Sequence, residues 1–319
     1  MPDVISYDAA EKQVGAKPRS LLLGNGFSAS YCGYKNLLEK SGLAENAPAR
    51  VLFDRLDTVN FERVVKAPED ASIVEAAYGH GDQSQALIAD AVLVREALVN
   101  AVRVTHPTHR DKIKDVIPSC IEFLTPFSKI FTLNYDLLLY WVILNTKQFG
   151  DGFYYATDAN GYRGPFQEDP RLNVYNIHGG LHLFHREDGE IEKRLAGADG
   201  IIDAIAQTIT VSKRLPVYVA EGTSLAKLDR IKSVAYLNHC YQQLKVSSGH
   251  FFVFGHSADD TDAHIYSALF NSKITHLYFC VYDTGKLAEL DGRLSHYKKS
   301  NNSNVDYTFV ESETVGVWG

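Results

Sequence analysis

Cysteine is scarce and scattered. The chain of 319 residues has four, at Cys32, Cys120, Cys240 and Cys280, and no two form a Cys-x-x-Cys pair. That excludes a zinc ribbon, and the density is too low for a disulfide framework; reduced cysteines with packing roles are expected. Long apolar runs are also missing. The longest, Leu137–Leu144, has eight residues, whereas a helix needs about 20 to cross a bilayer. The opening stretch MPDVISYDAAEKQVGAKPRS has no apolar h-region, so no secretory signal and a cytoplasmic location are expected. Positive charge is in deficit too: 32 Lys and Arg stand against 39 Asp and Glu, a formal net charge of −7. A phosphate backbone calls for a basic face. The basic runs Lys35 to Lys40, Lys227 to Lys232 and Lys298–Lys299 are short and read as solvated helix faces. Nucleic acid is therefore not indicated, nor is a membrane. There is no internal repeat and no low-complexity segment.

What is present is ordinary globular material, 45% hydrophobic and 22% charged. Strands are expected at Arg19–Leu23, Lys129–Leu133, Asn173–Ile177, Pro216–Ala220, His250–Phe254 and Ile274–Tyr282, with helical stretches between them. The segment from Leu52 to Val104 reads as mostly helical, with Thr58 or Asn60 as a cap. Gly150 to Arg171 reads as a structured loop. Alternating strands and helices predict an α/β fold, a Rossmann-like mainly parallel sheet with helical insertions. The expected organisation is a single domain over 1–319, with a core of about 18–45, 119–221 and 246–285. Helical insertions are expected at about 46–118 and 222–245.

Ligands of such sheets bind beyond the carboxyl ends of the strands, and four expected strand ends carry small or polar residues. Gly24-Asn25-Gly26-Phe27-Ser28 joins a strand to a helix, where backbone amides can approach a pyrophosphate; an ordinary βα turn is the bland alternative. Thr132-Leu133-Asn134-Tyr135-Asp136 places an amide and a carboxylate two residues apart, suited to orienting water or a ribose hydroxyl and to accepting from a carboxamide. Helix capping explains the same pair. His178-Gly179 offers a general base with an unperturbed pKa of about 6.5 beside a residue that lets a ligand approach the backbone; a structural histidine is the alternative. Gly255-His256-Ser257 precedes Asp259, Asp260 and Asp262, of which Asp262 reads equally well as a helix cap. His182 and His185 have a spacing that suits a metal on a helix, but no second cluster completes a site, so no metal is expected.

The ordered set of these four motifs resembles the sirtuin-like NAD-binding family, over residues 20 to 285 or so. Thr58-Val59-Asn60-Phe61-Glu62, Asp151-Gly152-Phe153, Glu221-Gly222-Thr223 and Tyr236-Leu237 resemble a bacterial branch of standalone members. The resemblance implies NAD+ as the substrate, with its pyrophosphate on Gly24, Asn25, Gly26, Phe27 and Ser28. Thr132, Gly179, Gly255 and Ser257 are further binding residues. It implies catalytic roles for Asn134 (water or ribose hydroxyls), His178 (proton acceptor) and Asp136 (nicotinamide carboxamide). NAD+ glycohydrolysis in bacterial anti-phage defence is the implied activity, with homo-oligomers and sometimes a HerA-type ATPase as partner. A non-catalytic NAD or ADP-ribose sensor, and an NAD-dependent deacylase or ADP-ribosyltransferase, are the alternatives. The deacylases' four-cysteine zinc module cannot be built here. Leu133 replaces their Gln, and Tyr31 to Tyr34 occupies the place of their acidic-aromatic-arginine segment. These departures weigh against deacylation more than against NAD binding.

Overall fold

The run Arg19–Leu23 becomes the strand around which the molecule is organised. A computed structural model describes residues 3–32, 37–197, 200–219 and 222–319. Tyr34, the Lys35 end of one basic run, Ala220 and Glu221 lie outside the described residues. The strands are β1 (Val4–Ile5), β2 (Arg19–Leu23), β3 (Lys129–Thr132), β4 (Tyr162–Arg163), β5 (Val174–Asn176) and β6 (Gly179–His185). They continue with β7 (Ile191–Arg194), β8 (Pro216–Tyr218), β9 (Ser248–Phe254), β10 (Lys273–Val281) and β11 (Asp306–Glu311). Seven of them form one sheet in the order β1-β11-β10-β9-β2-β3-β5, with every pair parallel.

A parallel strand is covered on both faces and reads as a continuous apolar run. In β2, alternation sends Leu21 and Leu23 to one core and Leu22 to the other. The helices before β3 are α1 (Tyr7–Val14), α2 (Leu37–Lys40), α3 (Pro48–Arg55), α4 (Phe61–Ala77), α5 (Gly81–Thr105) and α6 (Ile117–Leu124). Phe53, Phe61, Leu98 and Val102 from this group share the core of Leu21 and Leu23. Asn60 caps α4, its side chain accepting from the Glu62 amide at 2.9 Å. After β3 come α7 (Leu138–Leu144), α8 (Ile201–Thr210), α9 (Ser224–Ser233), α10 (Ala235–Lys245), α11 (Ala263–Phe270) and α12 (Leu287–Ser300). Leu237, Leu244, Ile265 and Leu269 pack with Leu22 in the second core.

The expected α/β sheet is therefore present, with two differences. The run at Pro216 does not join the parallel sheet. It forms β8 at the edge of a four-stranded antiparallel sheet, β4-β7-β6-β8. The parallel sheet also extends beyond Tyr282 to β11, which pairs with both β10 and β1. β11 is half-exposed (Asp306 and Glu311 face solvent), so its apolar signal is weak. The segment read as a loop from Gly150 contains β4. All four cysteines are buried and free.

On one side of β2 lie β3 and β5, and on the other β9, β10 and β11. The chain order reverses between β2 and β9, and such a switch point opens a crevice at the strand ends. There the two outgoing turns touch. The Gly24 amide donates to Phe254 O at 2.9 Å and the Gly26 amide to Gly255 O at 2.7 Å. A Cβ on Gly26 would stand 2.5 Å from Gly255 Cα; one on Gly255, whose φ is +70°, would stand 2.5 Å from the Phe27 nitrogen. Gly292, inside α12, has nothing within 4 Å of an added Cβ. We therefore expect Gly255→Ala to lower the melting temperature by several degrees or to abolish folding. Gly292→Ala should gain up to about 1 kcal/mol from helix propensity and raise it. Thermal melts of the two variants that moved in the same direction would contradict this packing account.

Candidate functional site

His178 sits where the chain leaves the parallel sheet for the antiparallel one, between β5 and β6. The backbone is pinned on both sides of that step: the Ile177 amide donates to Thr132 O at 3.0 Å, and His178 O accepts from the Val219 amide at 2.9 Å. The side chain is buried, and its Nε2 has no hydrogen-bond partner among the described residues. It faces Asp262 Oδ1 at 3.9 Å.

Asp262 is the centre of the local electrostatics. Lys227 Nζ on α9 donates to its Oδ1 at 2.9 Å. His256 Nε2 contacts its Oδ2 at 3.2 Å. His256 Nδ1 accepts from the Ala258 amide at 2.9 Å, so the proton sits on Nε2 and is donated to the carboxylate. Burial opposes ionisation of Asp262, but the His256 hydrogen bond and the neighbouring positive charge, including Lys227, hold its carboxyl well below the usual carboxylate range. Burial pushes the His178 imidazole down to about 3 and His264 down to about 4, with Asp262 pulling the other way in both. Both rings are therefore neutral at pH 7, and they stack with centroids 5.9 Å apart. His264 Nδ1 pairs with Ser224 Oγ at 2.9 Å, and its Nε2 has no partner among the described residues.

Two cavities open on the strand ends. One, about 670 Å³, is lined by Asn25, Tyr135, His178, Lys227, His256 and Asp262 among others. The second, about 810 Å³, is lined by residues that include Gly26, Tyr282, Lys286, Arg293 and Trp318. Gly255, His256, Ser257 and Asp259 line both and form the wall between them.

The expected site residues distribute unevenly over this cleft. Asn25, Gly26, His178, Gly255 and Ser257 line cavities. Gly24, Phe27, Ser28, Thr132, Asn134, Asp136 and Gly179 line neither cavity and lie beneath or beside them. The first turn is not an open phosphate cradle: it is a 3-10 turn over Asn25–Phe27, and the amides of Gly24, Gly26, Phe27 and Ser28 are all spent on backbone carbonyls. Its glycines serve the contact with Gly255. Phe27 is a core residue whose carbonyl accepts from Trp318 Nε1 at 2.7 Å. Thr132 Oγ1 accepts from the Asn134 amide at 3.0 Å. Asn134 Nδ2 donates to Gly24 O at 2.9 Å and lies 3.2 Å from Ser28 Oγ, leaving its Oδ1 buried without a partner. Asp136 Oδ1 accepts from the Leu138 amide at 2.7 Å at the start of α7. At Gly179, with φ +72°, an added Cβ would meet Val217 O at 2.1 Å, so sheet packing occupies the space that a ligand was expected to use.

Sequence reasoning missed Lys227, His256 and His264 as site residues. Lys227 was read as part of a solvated helix face, and His264 stands at no expected strand end. Asp262, read equally as a cap, stands at the N-cap of α11 but makes no capping side-chain bond. His182 and His185 lie on strand β6, not on a helix, so successive side chains alternate faces and the pair cannot converge. Among the described residues, the group whose ligand-type atoms do converge is His178, Asp262 and His264, all within 4.8 Å of one another. The expectation of no metal cluster came from local spacing, which cannot register His178 folding against Asp262 and His264 from a distant segment.

A family model described as Domain of unknown function (DUF4917) matches residues 21–318. No curated protein matches the chain. Among solved structures, one described as a crystal structure of a Sir2 homolog-NAD complex aligns over 94% of this chain and 97% of that chain. The TM-score is 0.38 and the identity 14%.

Asp136 gives this part of the site a pH signature. Burial raises its carboxyl to about 6, against the lowering effect of hydrogen bonds from the Leu138 amide and Ser28. A raised folded pKa favours the protonated native state. The stability it contributes is full below the unfolded value near 3.8 and is lost as pH rises through about 6. Asp136→Asn keeps an acceptor for Leu138 and removes the titration. Denaturant unfolding should then show wild type losing on the order of 2–3 kcal/mol relative to the variant between pH 4 and pH 7. Parallel stability curves would contradict the assignment.

Proposed function

The chain belongs to the family described as Domain of unknown function (DUF4917), and for this member we propose NAD+ binding along the cleft and hydrolysis of the nicotinamide–ribose bond. The observation that carries the reading is a neutral, buried imidazole with an unpartnered Nε2, His178, at the floor of one cavity of a two-lobed cleft. Cavities of this size suit small ligands, and two that share a wall suit a two-part ligand. In this reading the adenosine half takes the cavity of Arg293 and Trp318, and the pyrophosphate crosses beside Gly255–Ser257. The nicotinamide ribose faces His178.

Nicotinamide leaves as a neutral molecule from a cationic substrate, so the leaving group needs no general acid. Positioning and electrostatic support of the ribosyl cation do most of the work. His178 takes one proton from the attacking water as the new C–O bond forms. The Asp262 carboxylate supports the positive charge His178 then carries. The products are nicotinamide, ADP-ribose and one proton. Asn134 holds the Gly24 turn in place; its sequence-based role towards water or the ribose hydroxyls remains part of the proposal. Asp136 supports this group by fixing the start of α7; its sequence-based contact with the carboxamide remains part of the proposal. The homo-oligomer, the HerA-type partner and the defence role belong to the same proposal and are supported by the motif order alone.

Nicotinamide release measured by chromatography on purified protein tests the reading. His178→Ala should reduce it by about 10²-fold or more, the usual contribution of a positioned acid–base group, with the melt unchanged. Release from His178→Ala at the wild-type rate would remove His178 from the mechanism. NAD+ binding without release by wild type would favour the sensor.

A further inference from the structure

We propose that His178, His264 and Asp262 form a binding site for one divalent transition-metal ion of the zinc class, and that the Lys227 ammonium competes with the ion for Asp262. Three potential ligand atoms lie within 4.8 Å of one another. All three side chains are buried, and both imidazole Nε2 atoms lack a hydrogen-bond partner among the described residues. Two buried imidazole nitrogens left unpartnered beside one carboxylate are costly unless something occupies the space near them.

The chemistry of the set is specific. Imidazole suits zinc, nickel, copper and iron, whereas magnesium and calcium take oxygen ligands. A tetrahedral ion with bonds of about 2.0–2.2 Å holds its ligand atoms about 3.3–3.5 Å apart. His178 Nε2 and Asp262 Oδ1 are 3.9 Å apart, so a small inward rotation closes the pair. One coordination position would remain, beside the cavity that His178 and Asp262 line. The outer contacts suit the role as well. Ser224 Oγ can accept from His264 Nδ1–H, which leaves the Nε2 lone pair for the ion. His256 holds the second oxygen of Asp262.

Lys227 Nζ lies 2.9 Å from the same Oδ1 that the ion needs. The ammonium neutralises Asp262 in the metal-free protein, and it must swing into the cavity when an ion enters. The binding claim rests on this geometry alone. Its consequence rests on the NAD+ reading: an ion on His178 Nε2 occupies the lone pair that accepts the proton and therefore blocks hydrolysis.

The test is titration of the chelator-treated full chain with Zn2+, and with Co2+ as a visible-light reporter, followed by calorimetry and thermal melts. Wild type should bind one equivalent and melt higher with the ion. His264→Gln, which keeps a partner for Ser224, should lose the bound equivalent while its metal-free melt stays near wild type. Lys227→Met should bind at least about tenfold tighter, because it removes a like charge a few ångström from the ion. No uptake by wild type at micromolar Zn2+ would overturn the proposal, as would stoichiometry unchanged by His264→Gln. Uptake that follows the variants in a chain releasing no nicotinamide would support the metal site and contradict the NAD+ hydrolysis reading.

Discussion

The contact between Gly26 and Gly255 is the constraint on which the cleft depends. It brings the turns after two neighbouring parallel strands, β2 and β9, to backbone contact at the point where the chain order reverses. No side chain fits there, and the amides of Gly24, Gly26, Phe27 and Ser28 in the first turn are committed to carbonyls of the second strand and turn or of their own turn. The wall this creates, Gly255 to Asp259, separates two cavities while belonging to both. Asn134, at the end of β3, ties the same turn down from the other side.

The chemistry of the site follows from one buried carboxylate. Asp262 sits in low-dielectric surroundings where an unpaired charge would be untenable, and it is answered by Lys227 and His256. That arrangement leaves His178 and His264 neutral and unsatisfied beside an anion. A neutral imidazole next to a carboxylate can accept a proton or a metal ion. Lys227 is the element that shifts the balance, since its ammonium occupies the carboxylate whenever nothing else does.

Much of the framework was legible in the sequence. Arg19–Leu23, Lys129–Thr132 and His250–Phe254 are apolar runs bounded by glycine or polar residues, and both faces of each are buried, so the signal was strong. The placement of His178 at a strand end was legible for the same reason. The antiparallel sheet was not, because β6, β7 and β8 gain their identity from pairing with each other, and Pro216 resembles a parallel strand until its neighbour is known. The cluster around Asp262 was not read because His256 and His264, though near it in sequence, sit in a loop and on α11 with no recognisable spacing, and Lys227 comes from α9. On their own helices or loops they look like solvated charge or isolated histidines. The glycines of the first turn were legible as necessary, but the reason was misplaced: they admit another backbone and leave few amides for a phosphate.

The central claim is that a dinucleotide spans the two cavities across the Gly255–Asp259 wall. A crystal structure of His178→Ala with NAD+ tests it most directly, since loss of the proton acceptor preserves the substrate. The account predicts adenosine beside Arg293 and Trp318, and the nicotinamide ribose in the cavity of Lys227 and Asp262. NAD+ density confined to one cavity or lying elsewhere on the surface, or the absence of NAD+ at saturating concentration, would contradict it.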